Sequence, residues 1–432
     1  MLTKEATNET LSITRPTLVK FGFVLSARDA DALQRLFRAR HLTGEAWLLE
    51  PRSPPRVGQI TIGTSILECP PPFPIVLFLG MYLYCYGMEF NDIARLVQPA
   101  VNATADGVLN VRIVLEICFL TELQRLLDKG ISKQYVYRDE KSLTLRGRVD
   151  WSRTMASRIP TSSSAELTAN HPLNRMLYDL ASEISRSADF TNAGLSILAP
   201  SPQRWRGITP QPIAYHAVIR WLATLAPRVA HYRPVLVLAR ALLAEATTWD
   251  STGTVEMPEL FHDLATLFER FVQRLLSDEL AHAGTSIEVQ VTDTMAFVTK
   301  EGASYSPIRP DFIIRRADKR PVVIDAKFKP QYCSGKRVST SDLFQVAFYC
   351  TRYGDDDGPA FGFIAAPAWS AGYIAHRHIV HHGSSGDVLI TLAPLPLIDM
   401  LRALIQGERT AFASAAQGWL YQILREASCG TG

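Results

Sequence analysis

The sequence predicts a multidomain α/β protein, on three observations. The chain is 432 residues long, more than one hydrophobic core supports, so two or three domains are expected. Its patterned segments change character along the chain. They are mixed α+β over residues 1–160, helical over 161–255, and helix, strand, hairpin, helix, strand over 256–432. Hydrophobic content of 47% with 20% charged residues is that of a folded globular protein.

Residues 1–15 read as a loose polar tail. "ARDADALQRLFRARH" has helical spacing through Leu33, Leu36 and Phe37. "VGQITIG" and "SLTLRGRVDW" alternate as strands do. "PIVLFLGMYLYCYGM", from Pro74 to Met88, is shorter than the ~20 residues of a membrane span. It is read as a buried helix with its tyrosine hydroxyls at the core edge. "NVRIVLEICFLTELQRLLDKG" is a helix stopped at Gly130. "PTSSSAELTANHP", Pro160 to Pro172, reads as a polar loop and a domain boundary. "LNRMLYDLASEI", "AYHAVIRWLATLA" and "YRPVLVLARALLAEA" are helices, and "WDSTGTVEMP" is a second break.

In the last third, Leu260, Leu264, Leu267, Phe271 and Leu275 form one helical stripe. "SIEVQV", "DFIIR", "PVVIDAKF" and "AFGFIAAP" are strands. "TSDLFQVAFYCTRYG" is a helix capped by Ser or Thr and closed at Gly354.

Composition excludes several classes. The six cysteines have no CxxC spacing, which argues against a disulfide framework or a structural zinc and fits a reducing compartment. The polar N-terminus lacks the apolar core of a signal peptide, so a cytoplasmic protein is expected. There is no GxxxxGK[ST] loop, so P-loop nucleotide hydrolysis by this chain is not expected. "AHRHIVHH" offers His376, His378 and His382 on one face of an edge strand, a poor zinc candidate without cysteine or carboxylate in the run. "GDDDG" and "GSSG" read as turns.

The chemistry concentrates in "RPDFIIRRADKRPVVIDAKFKP", Arg309 to Pro330. A hairpin turning about Asp318 sets Asp311 opposite Asp325. Two facing carboxylates repel, the more so when buried. A cation between them relieves this, and oxygen-only ligands suit Mg²⁺, with Mn²⁺ an alternative. The Ala326 backbone carbonyl is a further candidate ligand. Lys327, two residues past Asp325, leaves the same strand face and is placed to steer a metal-bound water. The competing reading is a simple Lys327–Asp325 ion pair at a strand end.

From Arg309 to Arg337 there are nine Lys or Arg against three Asp, an excess of six on a chain whose net charge is +3. Such a surface around an acidic centre suits a nucleic acid. Arg309, Arg315, Arg316 and Lys329 are the candidate phosphate contacts. Gln345, Tyr349 and Arg352 share one face of the following helix, with Tyr349 a further nucleic-acid contact and Gln345 a catalytic candidate. Glu269, at the margin of its helix stripe, is a third acidic ligand or else a solvated glutamate.

Glu269, Pro310-Asp311, Asp325-Ala326-Lys327 and Gln345, in that order, resemble the PD-(D/E)XK nuclease superfamily. "LFERFV", "RPDFII", "VIDAKFKP" and "DLFQVAFYC" together are similar to the McrC family, nuclease subunits of modification-dependent McrBC restriction systems. "VGQITIG", "LRGRVDWSRT" and "NHPLNRMLYDLA" agree, so the resemblance runs from about residue 57 to about 355.

The resemblance implies a restriction-endonuclease-like α/β domain over 256–432 and an N-terminal domain that docks on a partner. That partner is a McrB-like AAA+ GTPase hexamer, which binds the GTP. The substrate is double-stranded DNA with modified cytosine. Asp311 and Asp325 match the family's metal-binding acids and Lys327 its catalytic lysine, with Glu269 and Gln345 as auxiliary positions. Two alternatives stand beside this reading: a non-cleaving activator of the partner NTPase, and a different nuclease of the superfamily that needs no GTPase.

Overall fold

The protein was analysed as a computed structural model. It describes residues 2–5, 10–53, 56–62, 65–104, 111–141, 148–157, 160–186, 202–212, 215–244, 260–280, 286–298, 304–316, 319–334, 337–355, 358–369, 377–380 and 387–429. The expected break at 249–258, the turn at 317–318, "GSSG", and His376, His381 and His382 lie outside them. The chain divides into two compact units, residues 1–98 with 259–432, and residues 99–258.

The first unit carries a six-stranded mixed sheet. Its order is Ser286–Val289, Phe312–Arg316, Lys319–Ala326, Phe361–Pro367, Val388–Leu395 and Arg377–Val380. The first three strands run antiparallel, Lys319–Ala326 to Val388–Leu395 run parallel, and Arg377–Val380 closes the edge antiparallel. Central strands buried on both faces read as continuous apolar runs. "PVVIDA" and "FGFIAAP" do so, and the polar exception is Asp325.

Helix Thr340–Arg352 covers one sheet face through Val346, Ala347 and Cys350, which meet Val323, Ile364 and Ile390. Ser339 caps it, accepting from the Asp342 amide at 3.3 Å. Its close approach depends on Gly362. A Cβ there would meet Cys350 Sγ and Val346 Cγ1, each at 2.8 Å.

Helix Leu264–Leu280 buries the expected stripe of Leu264, Leu267, Phe271 and Leu275. It packs against the buried helix Ile75–Cys85. There the Tyr84 hydroxyl donates to Asp278 at 2.8 Å, and Arg274 stacks over the Tyr84 ring at 4.2 Å.

Four sequence expectations need correction. The N-terminal tail contains strands Leu2–Glu5 and Thr10–Ser12, which pair parallel with Thr17–Lys20 and Ser65–Cys69. The helix at Ala27 ends at Leu36, and Phe37–Thr43 is a strand paired with Ala46–Pro51. Leu260 belongs to strand Leu260–Asp263, laid against Arg56–Ile62, and not to the following helix. "TSSSAELT" is strand Thr161–Thr168, paired along its length with Gln134–Lys141. In each case a neighbouring strand supplies the ladder, and that pairing overrides local propensity and polarity.

The second unit, residues 99–258, combines that sheet, of order Gln134–Lys141, Thr161–Thr168, Arg148–Val149, with helices. Val111–Lys129 ends at Gly130 with φ +92°. Pro172–Arg186 and Arg233–Ala244 pack on it. Among the described residues no helix is long and apolar enough to cross a membrane.

Candidate active site

Beside the site the hairpin register is the symmetrical one; toward the turn it shifts, and Arg316 pairs with Lys319. Phe312 pairs with Ile324, Ile313 with Val323 and Ile314 with Val322. One further step sets Asp311 opposite Asp325. The ladder itself stops there, because Pro310 has no N–H to continue it. The Ala326 amide instead donates to Asp311 Oδ2 at 2.7 Å. A strand residue sends its N–H and C=O out on the same edge, so the Ala326 carbonyl lies on the Asp311 side.

Asp325 is 1% exposed. Lys327 Nζ lies 2.8 Å from Asp325 Oδ2, on the face that strand alternation predicts. The approach is off the line of a hydrogen bond, so this buried oxygen has an ion-pair partner but no directed donor. Burial raises the Asp325 carboxyl, and Lys327 opposes the rise. Burial, then the charges of Asp325 and Glu269, push Asp311 up to about 7. Burial alone would lower the Lys327 ammonium, but Asp325 and then Asp311 hold it above its ordinary value.

Glu269 comes to the same place from helix Leu264–Leu280. Its carboxylate accepts from the side-chain amide of Gln290, whose carbonyl accepts from Arg309. The Gln290 amide N–H also bonds to the Asp311 carbonyl at 2.9 Å. Gln290 has φ 47°, the one non-glycine among the described residues with positive φ. That conformation costs on the order of 1 kcal/mol.

Glu269, Asp311, Ala326, Lys327, Lys329 and Asp342 line one cleft of about 330 Å³, together with Ala265, Thr266 and Phe328. Lys329 is not free there. It donates to Asp342 at 2.7 Å and to the Tyr332 hydroxyl at 3.3 Å, and Tyr332 donates to Asp342 as well. Burial would raise Asp342, but the bonds from Lys329 and Tyr332 hold it below the usual carboxylate range.

The other candidates sit elsewhere or face inward. Tyr349 is 6% exposed, takes a bond from Gln345 at 2.9 Å and donates to the Arg309 carbonyl at 3.5 Å. Arg315 pairs with Glu288 at 2.7 Å. Arg316 is five residues up the strand from Asp311, about 16 Å away. It donates to the Leu424 carbonyl and to Ser428 of the C-terminal helix. Arg352 pairs with Asp293 at 2.7 Å.

Gln290, Tyr332 and Asp342 were not legible as site residues. The only sequence signal for Asp342 is its place three residues after the cap Ser339.

The donor set is all oxygen: the Asp311 and Asp325 carboxylates, the Ala326 carbonyl, and Glu269 alongside. Two repelling acids, Asp325 buried with an undirected oxygen and Asp311 half-buried beside it, are the chemistry a hard divalent cation satisfies. Among the described residues no three His, Cys, Asp or Glu side chains form a ready metal cage. The set is therefore two acids plus a carbonyl, with Glu269 held by Gln290.

The sequence matches the McrBC 5-methylcytosine restriction system component family over residues 77–360. No curated protein matches it. The fold is similar to a chain of the refined half-complex from the tetradecameric assembly of Thermococcus gammatolerans McrB AAA+ hexamers with bound McrC. The TM-score is 0.61 at 16% identity, covering 95% of this chain and 99% of that one. A chain of the cryo-EM Thermococcus gammatolerans McrBC complex matches 63% of this chain and 88% of its own length, at 19% identity and a TM-score of 0.41. With the family match spanning most of the sequence, this chain belongs to the McrBC 5-methylcytosine restriction system component family.

Proposed function

We propose that the chain is the Mg²⁺-dependent DNA endonuclease subunit of a modification-dependent restriction system, with a PD-(D/E)XK nuclease domain in its C-terminal third. It cleaves together with a McrB-like AAA+ GTPase hexamer that binds the GTP. The observation that carries this reading is the convergence of Asp311, Asp325 and Lys327 at one hairpin end beneath a cleft. Family membership and the McrB hexamers bound to McrC in the Thermococcus gammatolerans assembly support the partner.

Asp311, Asp325 and the Ala326 carbonyl would hold the ion, with Glu269 as the additional acid. Mg²⁺ or Mn²⁺, when bound, supplies polarisation of a phosphodiester and a more acidic water. Lys327 keeps its proton through Asp325, so its role is to orient the attacking water and offset negative charge developing on the phosphate. Asp325 fixes where that ammonium sits. The Ala326 amide fixes the Asp311 carboxylate. Gln345 donates to Tyr349 and is not among the residues that line the cleft, so it is an auxiliary residue at most, and Arg309 is the basic side chain tied to the cleft through Gln290.

One observation favours the second reading, a non-cleaving activator of the partner: Lys327 already pairs with Asp325 without a metal ion. Cleavage of methylated plasmid with partner protein, GTP and Mg²⁺ separates the two. Wild type cuts and Asp325→Ala does not under the first reading. Under the second, neither cuts and both stimulate the GTPase.

A further inference from the structure

Gln290 is the residue whose backbone and side chain are both committed to the site, and its type and position gave no motif. It follows strand Ser286–Val289, where its amide extends the ladder to the Asp311 carbonyl at 2.9 Å. Its φ of 47° turns it out of the strand. The side chain then bridges two charged groups, donating to the Glu269 carboxylate and accepting from the Arg309 guanidinium. The polarity of the chain is consistent: cation to amide oxygen, amide nitrogen to carboxylate. A strained non-glycine residue persists where its surroundings hold it, and such residues cluster at functional sites.

We propose that Gln290 is a positioning residue that holds Glu269 toward the Asp311–Asp325 pair and keeps Arg309 from pairing with it directly. The inference rests on the nuclease reading and deepens it. With the amide in place, Glu269 stays available as an acid beside the metal-binding pair, and Arg309 stays at the cleft for a phosphate. Without it, the guanidinium and carboxylate collapse into an ion pair, which removes an acid from the metal site and a cation from the DNA path.

The test uses the full chain, with Gln290→Gly and Gln290→Glu beside wild type and Asp325→Ala. Glycine relieves the positive φ, so Gln290→Gly keeps a melting temperature at or above wild type. Mn²⁺ binding is read by calorimetry and plasmid cleavage by rate, with partner and GTP. Outer-shell partners of metal ligands are worth about ten- to a hundredfold in affinity or activity. Gln290→Gly is expected to weaken Mn²⁺ by about tenfold and lower the cleavage rate constant with it, at unchanged stability.

Gln290→Glu, which can still accept from Arg309 but cannot donate to Glu269, is expected to weaken Mn²⁺ as Gln290→Gly does. Wild-type Mn²⁺ affinity in Gln290→Gly, with affinity lost in Asp325→Ala, overturns the positioning role and leaves the nuclease reading standing. Equal Mn²⁺ affinity in all four proteins overturns both.

Discussion

The Ala326 amide donates to the Asp311 carboxylate at 2.7 Å, one residue past Asp325. This bond ties the start of one hairpin strand to the end of the other. It places two acids side by side, with the Ala326 carbonyl leaving the strand on the Asp311 side. The site's electrostatics follow from that local closure.

The first consequence is a pH dependence of the metal-free protein. Asp311 is raised to about 7, chiefly by burial and then by Asp325 and Glu269. A raised acid favours the fold while protonated, so its contribution is full below its unfolded value near 4 and lost as pH rises to about 7. Metal-free protein should melt lower at pH 8 than at pH 5.5, and added Mn²⁺ should reverse the difference at pH 8. Melting curves at the two pH values check this. A melting temperature that rises with pH, without metal, would contradict it.

Asp311→Asn removes that repulsion. It should stabilise the metal-free chain at pH 8 by on the order of 2 kcal/mol. It should also abolish the Mn²⁺-induced rise in melting temperature. Denaturant titration with and without Mn²⁺ reads both effects.

Lys327→Ala leaves Asp325 buried without its cation. Removing one partner of such a pair costs about 3 kcal/mol. Cleavage should be lost while DNA binding stays nearly at wild type, as filter binding or anisotropy would show. Loss of DNA binding instead would make Lys327 part of the basic surface and not of the chemistry.

Lys329→Met tests the cluster with Tyr332 and Asp342. Because Lys329 is engaged by Asp342, the variant should lower stability by about 1–3 kcal/mol. It should leave the salt dependence of DNA binding unchanged. Asp342 is held below the usual carboxylate range, so its contribution is present above about pH 4 and lost in acid. The wild-type advantage over Lys329→Met should shrink as pH falls below that value. A shallower salt slope would return Lys329 to the phosphate contacts.

Gly362→Ala inserts a methyl where Cys350 and Val346 already stand at 2.8 Å. Overpacking of this kind costs about 1–3 kcal/mol. Helix Thr340–Arg352 must shift, and with it Gln345. Melting temperature and cleavage rate should both fall, though Gly362 touches no site residue's carboxylate.

Much of this site was legible because strand chemistry is local. Asp311 and Asp325 follow from the hairpin register beside the site, Lys327 from period two, and helix Thr340–Arg352 from its cap and its apolar face, though Gln345 on it bonds to Tyr349 and is not among the residues that line the cleft. Glu269 was placed at a stripe margin, where it sits. What was not legible depends on partners distant in sequence. Lys329 looked like a phosphate contact until Asp342 claimed it, and Gln290 carries no motif because its role comes from a turn and two charges brought by other elements. Arg315 and Arg316 counted toward a basic surface, yet Glu288 and the C-terminal helix take them. Strand Thr161–Thr168 was hidden because serines and threonines show no apolar alternation and only the ladder with Gln134–Lys141 reveals it.

The most direct measurement is cleavage of methylated and unmethylated plasmid by wild type and Asp325→Ala, with a McrB-like partner, GTP and Mg²⁺. The account predicts that only wild type cuts, only with partner, GTP and Mg²⁺ present, and preferentially on methylated DNA, while both proteins raise the partner's GTPase rate. Cutting by Asp325→Ala at the wild-type rate, or no cutting by wild type with the GTPase fully stimulated, would contradict it.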